Sequence, residues 1–392
     1  MKIGLLGRIL IAIALGVLLG NILTLPWVRI FITFNSIFGQ FLGFIIPLII
    51  VGLVTPAIAD IGKGAGKLLL ITVGIAYADT VVAAILSYTT GSTFFPSLIG
   101  NGSQTLQNVE KSAEILPYFT VNIPAPIDVM SALVLSFIVG LGVAYGSHTV
   151  LRGAINEMKD IVVGVIERVI IPLLPVYIFG IFLNMTFSGD VMRMMTVFAK
   201  IIVVIFALHI FVLLYQYFIA GAIVRKNPFR LLANMFPAYL TALGTSSSAA
   251  TIPVALKQTL KNGVSEGVAG FVIPLCATVH LSGSAMKITA CAFTIALLEG
   301  LPTDFPLFLH FIMVLAIFMV AAPGVPGGAI MASLAPLGSI LGFGENEQAL
   351  MIALYIAMDS FGTACNVTGD GAIALVVDKL NRNKTNVEEK AA

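Results

Sequence analysis

Apolar runs long enough to cross a lipid bilayer recur along almost the whole chain, beginning with "GLLGRILIAIALGVLLGNIL". About 20 apolar residues in a helix span the hydrocarbon core, where every backbone N–H and C=O must find its partner inside the protein. Repeated runs of that length predict an all-α polytopic membrane protein, nearly all of it embedded, with membrane lipids around it. The charge content agrees. Only 10% of the 392 residues are charged and 58% are hydrophobic, whereas a soluble domain carries about 25% charged residues. The first run lacks a small-residue cleavage site before its next turn, so it reads as a retained helix and not a signal peptide. The net charge is +2, the basic residues lie in short loops, and nothing suggests nucleic acid as a partner.

The runs divide into helices at about 3–23, 34–60, 66–90, 128–150, 160–187 and 194–224. The polar stretch from "TTGSTFFPS" to "NIPAPID" reads as an extramembrane loop before the fourth helix. Basic residues favour the cytoplasmic side of a membrane. They gather in "VRKNPFR", at Lys2 and Arg8, and in "DKLNRNKTNVEEK" near the C-terminus. Both termini are therefore expected in the cytoplasm, in a multi-pass protein of the inner (cytoplasmic) membrane with an even number of crossings. Cys276, Cys291 and Cys365 lie in apolar segments and form neither a disulfide pattern nor a metal-ligand spacing. His209 and His310 lie in apolar runs and receive no role.

The second half is irregular. Segments 228–260 and 306–342 are apolar but broken in the middle by "GTSSSAAT" and "APGVPGGA". Unwound backbone at membrane depth is tolerated only where it is buried in protein or lines a cavity. Two interrupted segments in matching positions of two halves point to a transporter's binding site. Each break is followed by an unusual helix, which suggests an inverted repeat.

The last of these helices carries "YIAMDSFGTACNVTGDGAIALVVD", with two acids and no basic residue between them. On a helix, Asp359, Thr363, Asn366 and Asp370 fall at about 0°, 40°, −20° and 20°, one narrow stripe. Ionisable groups inside a membrane cost several kcal/mol and face a site more readily than lipid. Helix–helix glue by interhelical hydrogen bonds is the plainer reading, but glue does not need two unneutralised acids. The serine-rich break offers hydroxyls and free N–H groups at a helix start, where a carboxylate is favoured. The glycine-rich break offers backbone carbonyls, which suit a hard cation. A site with these parts would hold a ligand bearing both an ammonium and a carboxylate, which describes an amino acid.

At these residues the sequence resembles the dicarboxylate/amino acid:cation symporter family, the glutamate-transporter homologues. "SSSAATIP" is similar to the serine-rich tip of that family's hairpin 1, "GVPGGAIM" to hairpin 2, and "NVTGD" matches its last-helix motif. The segment order fits over almost the full length. The resemblance implies eight transmembrane helices plus two re-entrant helical hairpins, arranged as inverted repeats in a homotrimer. It implies scaffold helices within 1–65 and 93–193, and a transport domain from 66–92 and 194–392. That domain would move as an elevator, with hairpin 2 as its gate.

The resemblance also implies roles, residue by residue. Asp359 would hold the substrate amino group. Thr363, Asn366, Ser284 and Gly327 would line the substrate site, and Ser247 and Ser248 would bind the α-carboxylate. Asp370, with backbone near Asn366 and Cys276, would form a sodium site. Thr278 and the carbonyls before Gly324 would form another. No other cofactor is implied.

Departures from the family pattern carry as much information. The family commonly reads Asn-Met-Asp-Gly-Thr where this chain has "HLSGS", so Ser282 stands for an ion-binding aspartate and His280 for the asparagine. Ile75 and Ala76 fall where helix 3 would supply hydroxyls to the same sodium. Members that carry acidic substrates have an arginine on the last helix where this chain has Gly362, and the usual arginine of hairpin 1 appears here as Ser246. Without either, a second substrate carboxylate lacks its bidentate partner, which favours a small neutral amino acid such as serine, threonine or alanine.

New charges appear at Lys287 and Asp79. On an unbroken helix His280, Ser284 and Lys287 would share a stripe at about 0°, 40° and −20°. Lys287 either snorkels to an interface, replaces a bound cation, pairs with Asp79 or a site acid, or holds a dicarboxylate substrate. His280 is either a satisfied hydrogen-bonding residue or a proton-coupling one. Reduced or altered sodium dependence is expected, with proton coupling and sodium-independent exchange both open. No nucleotide loop, HExxH, GxSxG with partners or Cys/His cluster supports an enzyme. A channel would also use broken helices, but paired acids beside an ammonium-plus-carboxylate site suit a carrier better.

Overall fold

The computed structural model describes residues 5–62, 67–99, 115–146, 148–189, 191–322 and 326–391. Among the described residues the chain forms fifteen α-helices and no strand. The first half comprises α1 (Leu5–Gly20), α2 (Leu25–Gly62), α3 (Lys67–Ile99), α4 (Val129–Tyr145), α5 (Thr149–Val165), α6 (Ile171–Phe187) and α7 (Val191–Val224). A π-helical turn at Ile166–Ile170 joins α5 to α6. The second half comprises α8 (Pro228–Thr245), α9 (Ser248–Lys261), α10 (Glu266–Val279), α11 (Ser282–Glu299), α12 (Phe305–Ala321), α13 (Gly328–Ser339), α14 (Glu345–Ala357) and α15 (Asp359–Ala391).

Five described segments are long and apolar enough to cross a membrane: Leu25–Ala59, Leu68–Ile99, Thr149–Phe187, Met195–Val224 and Glu266–Glu299. Helices α14 and α15, bent by 64° at their junction, would make a sixth as one broken span. Shorter apolar helices lie in α1, α4, α12 and α13. The chain is a multi-pass membrane protein.

Local chemistry sets the helix boundaries of the second half. Asn227 caps α8 by accepting from the N–H groups of Phe229 and Arg230, with Pro228 preset for the first turn. Asp304 caps α12 through Leu307 N. Gly300, with φ +68°, ends α11 in the left-handed region that favours glycine.

Helix α3 runs nine residues further than expected, to Ile99. "TTGSTFFPSLI" is helical because its hydroxyls turn back on the helix: Thr90 donates to Leu86 O, Thr93 to Thr89 O and Ser97 to Phe94 O, at 2.7, 2.7 and 2.8 Å. Such back-bonding satisfies a polar group without ending the helix. Helix α2 likewise starts at Leu25, earlier than expected, and the fifth expected helix begins at Thr149. Both broken segments fold as pairs of helices, α8 with α9 and α12 with α13. Helix α15 is the central element, packed against α3, α7, α8, α9, α10 and α11.

Candidate functional site

The two breaks meet at the first residues of α15. Gly327, at the start of α13, donates its N–H to Asp359 Oδ2 over 2.9 Å. Its φ of +76° lies in the left-handed region, so glycine is what allows this turn. From the other break, Ser246 Oγ lies 2.6 Å from Ser360 Oγ. Ser246 is itself left-handed, with φ +51°, and ends α8. Ser247 caps α9 by accepting from Ala250 N, and Ser248 is buried beside it in the first turn. One acid thus stands between the tips of two helix pairs, close to helix starts whose N–H groups favour an anion.

The polar stripe of α15 forms as the helical spacing predicts, and all four members are buried. Thr363 donates to Asp359 O at 3.0 Å. Asn366 Oδ1 accepts from Gly283 N at 2.8 Å and Ser284 N at 3.3 Å, while its Nδ2 donates to Ser284 Oγ at 3.1 Å. Ser284 Oγ in turn lies 2.9 Å from the Tyr355 hydroxyl. The Asn366 side chain therefore satisfies the open first turn of α11. It explains why "HLSGS" does not stay helical: α10 ends at Val279 and α11 starts at Ser282, with His280 and Leu281 non-helical between them.

Three expectations are corrected here. His280, Ser284 and Lys287 do not share a stripe, because no continuous helix joins them. Lys287 does not pair with Asp79, and it does not snorkel. It is 1% exposed, its Nζ donates to Met358 O at 2.8 Å and stands 4.1 Å from the centre of the Tyr355 ring. A cation over an aromatic face gains electrostatically from the ring. The side chain runs directly over Gly362, where an added Cβ would meet Lys287 Nζ within 2.2 Å and Cε within 2.3 Å. Tyr355 was not singled out in the sequence, although its aromatic ring sits four residues before Asp359.

Asp79 and Asp370 meet on opposite sides of one ring. His280 Nε2 lies 2.8 Å from Asp79 Oδ2 and Nδ1 lies 2.8 Å from Asp370 Oδ1. Asp79 also accepts from the Tyr215 hydroxyl at 2.6 Å and from Gln216 Nε2 at 2.7 Å, and the same Nε2 lies 3.1 Å from Ser282 Oγ. The sequence signal for these two partners was "YQY", a polar step in the apolar run of α7.

Two of the oxygens expected to hold sodium near Asp370 have partners within the protein. Asp370 Oδ1 faces His280 Nδ1, and Cys276 O accepts from His280 N at 2.9 Å. A hard cation needs several free oxygen lone pairs aimed at one point, and the His280 imidazole takes one of the Asp370 oxygens. Thr278 is exposed, with its hydroxyl on Leu275 O. The carbonyls just before Gly324 that would join it include Pro323, outside the described residues.

Two helix pairs have their tips beside a buried acid at a helix start. The sodium:dicarboxylate symporter family model matches residues 5–380. The chain belongs to the sodium:dicarboxylate symporter family. The serine/threonine transporter SstT of Acinetobacter baumannii (strain AYE) is 29% identical over 404 residues, covering 98% of both chains. Excitatory amino acid transporter 1 of Homo sapiens is 27% identical over 302 residues, covering 74% of this chain and 54% of the human one. The Bos taurus protein of the same name is 26% identical over 302 residues, with the same coverage. This symporter-family chain is a membrane transporter, not an enzyme, and its family makes sodium the suggested coupling ion.

Proposed function

We propose that the protein is a secondary active transporter of small neutral amino acids, of the serine, threonine and alanine kind, across the cytoplasmic membrane. The observation that carries the reading is Asp359, buried and tied to Gly327 N, with the Ser246 tip one residue away. In this reading Asp359 takes the substrate ammonium. The hydroxyls and N–H groups at Ser247 and Ser248 take the carboxylate. Thr363, Asn366, Ser284 and Gly327 complete the lining. Small residues at Ser246 and Gly362 leave no guanidinium for a second carboxylate. The serine/threonine transporter among its relatives supports the same substrate class.

The proposed layout is eight transmembrane helices with two re-entrant hairpins in a homotrimer, with both termini in the cytoplasm. Residues 1–65 and 93–193 form the scaffold, and 66–92 with 194–392 the transport domain. That domain travels as an elevator, and α12 with α13 acts as the gate. Coupling is to a cation, with sodium dependence weaker than in members that keep every ligand.

A second reading has one specific observation behind it. The Lys287 ammonium lies over Gly362, the position where acidic-substrate members carry arginine. There it would serve as counter-charge for a dicarboxylate or an acidic amino acid. The test is uptake into proteoliposomes of radiolabelled serine, with alanine, threonine, aspartate and succinate as competitors. Saturable serine uptake, blocked by alanine and threonine, supports the proposal. Uptake blocked by aspartate or succinate alone favours the second reading.

A further inference from the structure

We infer that His280 is a built-in cation that holds the place of a coupling sodium ion between Asp79 and Asp370. The ring is fully buried, and each nitrogen lies 2.8 Å from a carboxylate oxygen of a different helix. Where both carboxylates are ionised they only accept hydrogen bonds, so both ring nitrogens donate, and a ring with two N–H groups is positively charged. Two buried acids need a positive partner, because unpaired charge is costly away from water. Here the partner is covalently attached.

The surroundings hold the ring in place and add no competing charge. His280 N donates to Cys276 O, which fixes the residue at the end of α10. Gly369 leaves room for the imidazole: a Cβ there would come within 2.8 Å of His280 Cε1. Tyr215 and Gln216 donate to Asp79, Gln216 also reaches Ser282 Oγ, and the buried Cys276, Cys365 and Tyr217 lie near the two acids. Lys287 is directed elsewhere, to Met358 O.

The two departures in "HLSGS" then form one exchange. The acid missing at Ser282 is present at Asp79, whose carboxylate shares the Gln216 amide with Ser282 Oγ. The ion that such an acid would bind is replaced by the ring at position 280. Any sodium dependence of transport arises elsewhere in the protein. The inference concerns the ion and not the substrate, and its test reads stability, so it fails or stands independently of the proposed substrate.

The test is thermal unfolding of the full-length protein in lipid nanodiscs, with choline chloride exchanged for sodium chloride at constant ionic strength. Wild type, His280→Asn and His280→Asn/Asp370→Asn are compared. His280→Asn should gain a sodium-induced rise of about 3 °C or more beyond the wild-type response, because an ion now binds the folded state between the acids. The double variant should lose that gain. Equal responses in wild type and His280→Asn, or a gain that survives in the double variant, overturn the inference. Should His280→Asn fail to fold, ¹⁵N-histidine spectra of the wild type decide, with the other three histidines substituted for assignment. Two protonated ring nitrogens at His280, unmoved between choline and sodium, are expected. A bare ring nitrogen, or signals that move with sodium, overturns the inference.

Discussion

The Gly327 N–H donates to Asp359 Oδ2, joining the tip of the second helix pair to the first residue of α15. This one bond couples the proposed gate to the acid that the substrate ammonium would neutralise. Glycine is required for it, since φ at Gly327 is +76°. Alanine there is strained by roughly 1–2 kcal/mol. Gly327→Ala should loosen the gate: hydrogen exchange in Gly328–Ser339 should speed up by about tenfold, while exchange in the middle of α15 stays unchanged. Equal protection of both helices in wild type and variant would mean that the bond does not hold the gate.

Lys287 and Gly362 occupy one another's space. A methyl group at position 362 would overlap Lys287 Nζ and Cε, and the ammonium would have to leave Met358 O. Overpacking of this kind costs about 1–3 kcal/mol. Gly362→Ala should lower the unfolding temperature by several degrees, and Gly362→Ala/Lys287→Met should recover most of the loss. If the double variant is no better than the single one, the clash lies elsewhere.

Asn366 holds the broken helix together from the side. It accepts from Gly283 N and Ser284 N, both buried. Asn366→Ala leaves those donors without an acceptor, at about 1–3 kcal/mol. Asn366→Asp keeps the acceptor oxygens but loses the donor to Ser284 Oγ. The alanine variant should melt at lower temperature than the wild type in a thermal unfolding scan. An unchanged melting point would show that the first turn of α11 is held by other groups.

Much of this was legible in the sequence. Apolar run length announced the helices, and glycine, proline and serine at mid-run announced both breaks. The helical period put Asp359, Thr363, Asn366 and Asp370 on one face, and they form one buried face. What could not be read was set by distant partners. The break at His280–Leu281 depends on Asn366, which lies on another helix, so a straight-helix projection put His280 beside Lys287 when the two face different neighbours. The helical course of α3 to Ile99 depends on hydroxyls bonding back along the helix, while their composition alone suggested a loop. Asp79 could be seen as an unusual charge, but its meeting with His280 is a matter of tertiary packing.

Substrate choice follows from what surrounds the acid. Ser246 bonds to Ser360, and Gly362 has no side chain, so neither supplies a fixed guanidinium. In competition for serine uptake, alanine and threonine should inhibit at concentrations about tenfold or more below those of aspartate or glutamate. Stronger inhibition by aspartate would assign Lys287 the role of counter-charge to a second carboxylate.

The central claim is that Asp359 binds the ammonium of an amino acid. Removing one partner of a buried, charge-assisted pair costs about 2–5 kcal/mol, which corresponds to a loss of affinity of roughly thirtyfold or more. The most direct measurement is a calorimetric titration of serine into the purified wild-type protein and into Asp359→Asn, each confirmed as folded by its unfolding transition. The account predicts saturable binding to the wild type and none measurable for the variant over the same range. Equal serine affinity in the two proteins would remove Asp359 from the binding site and contradict the account.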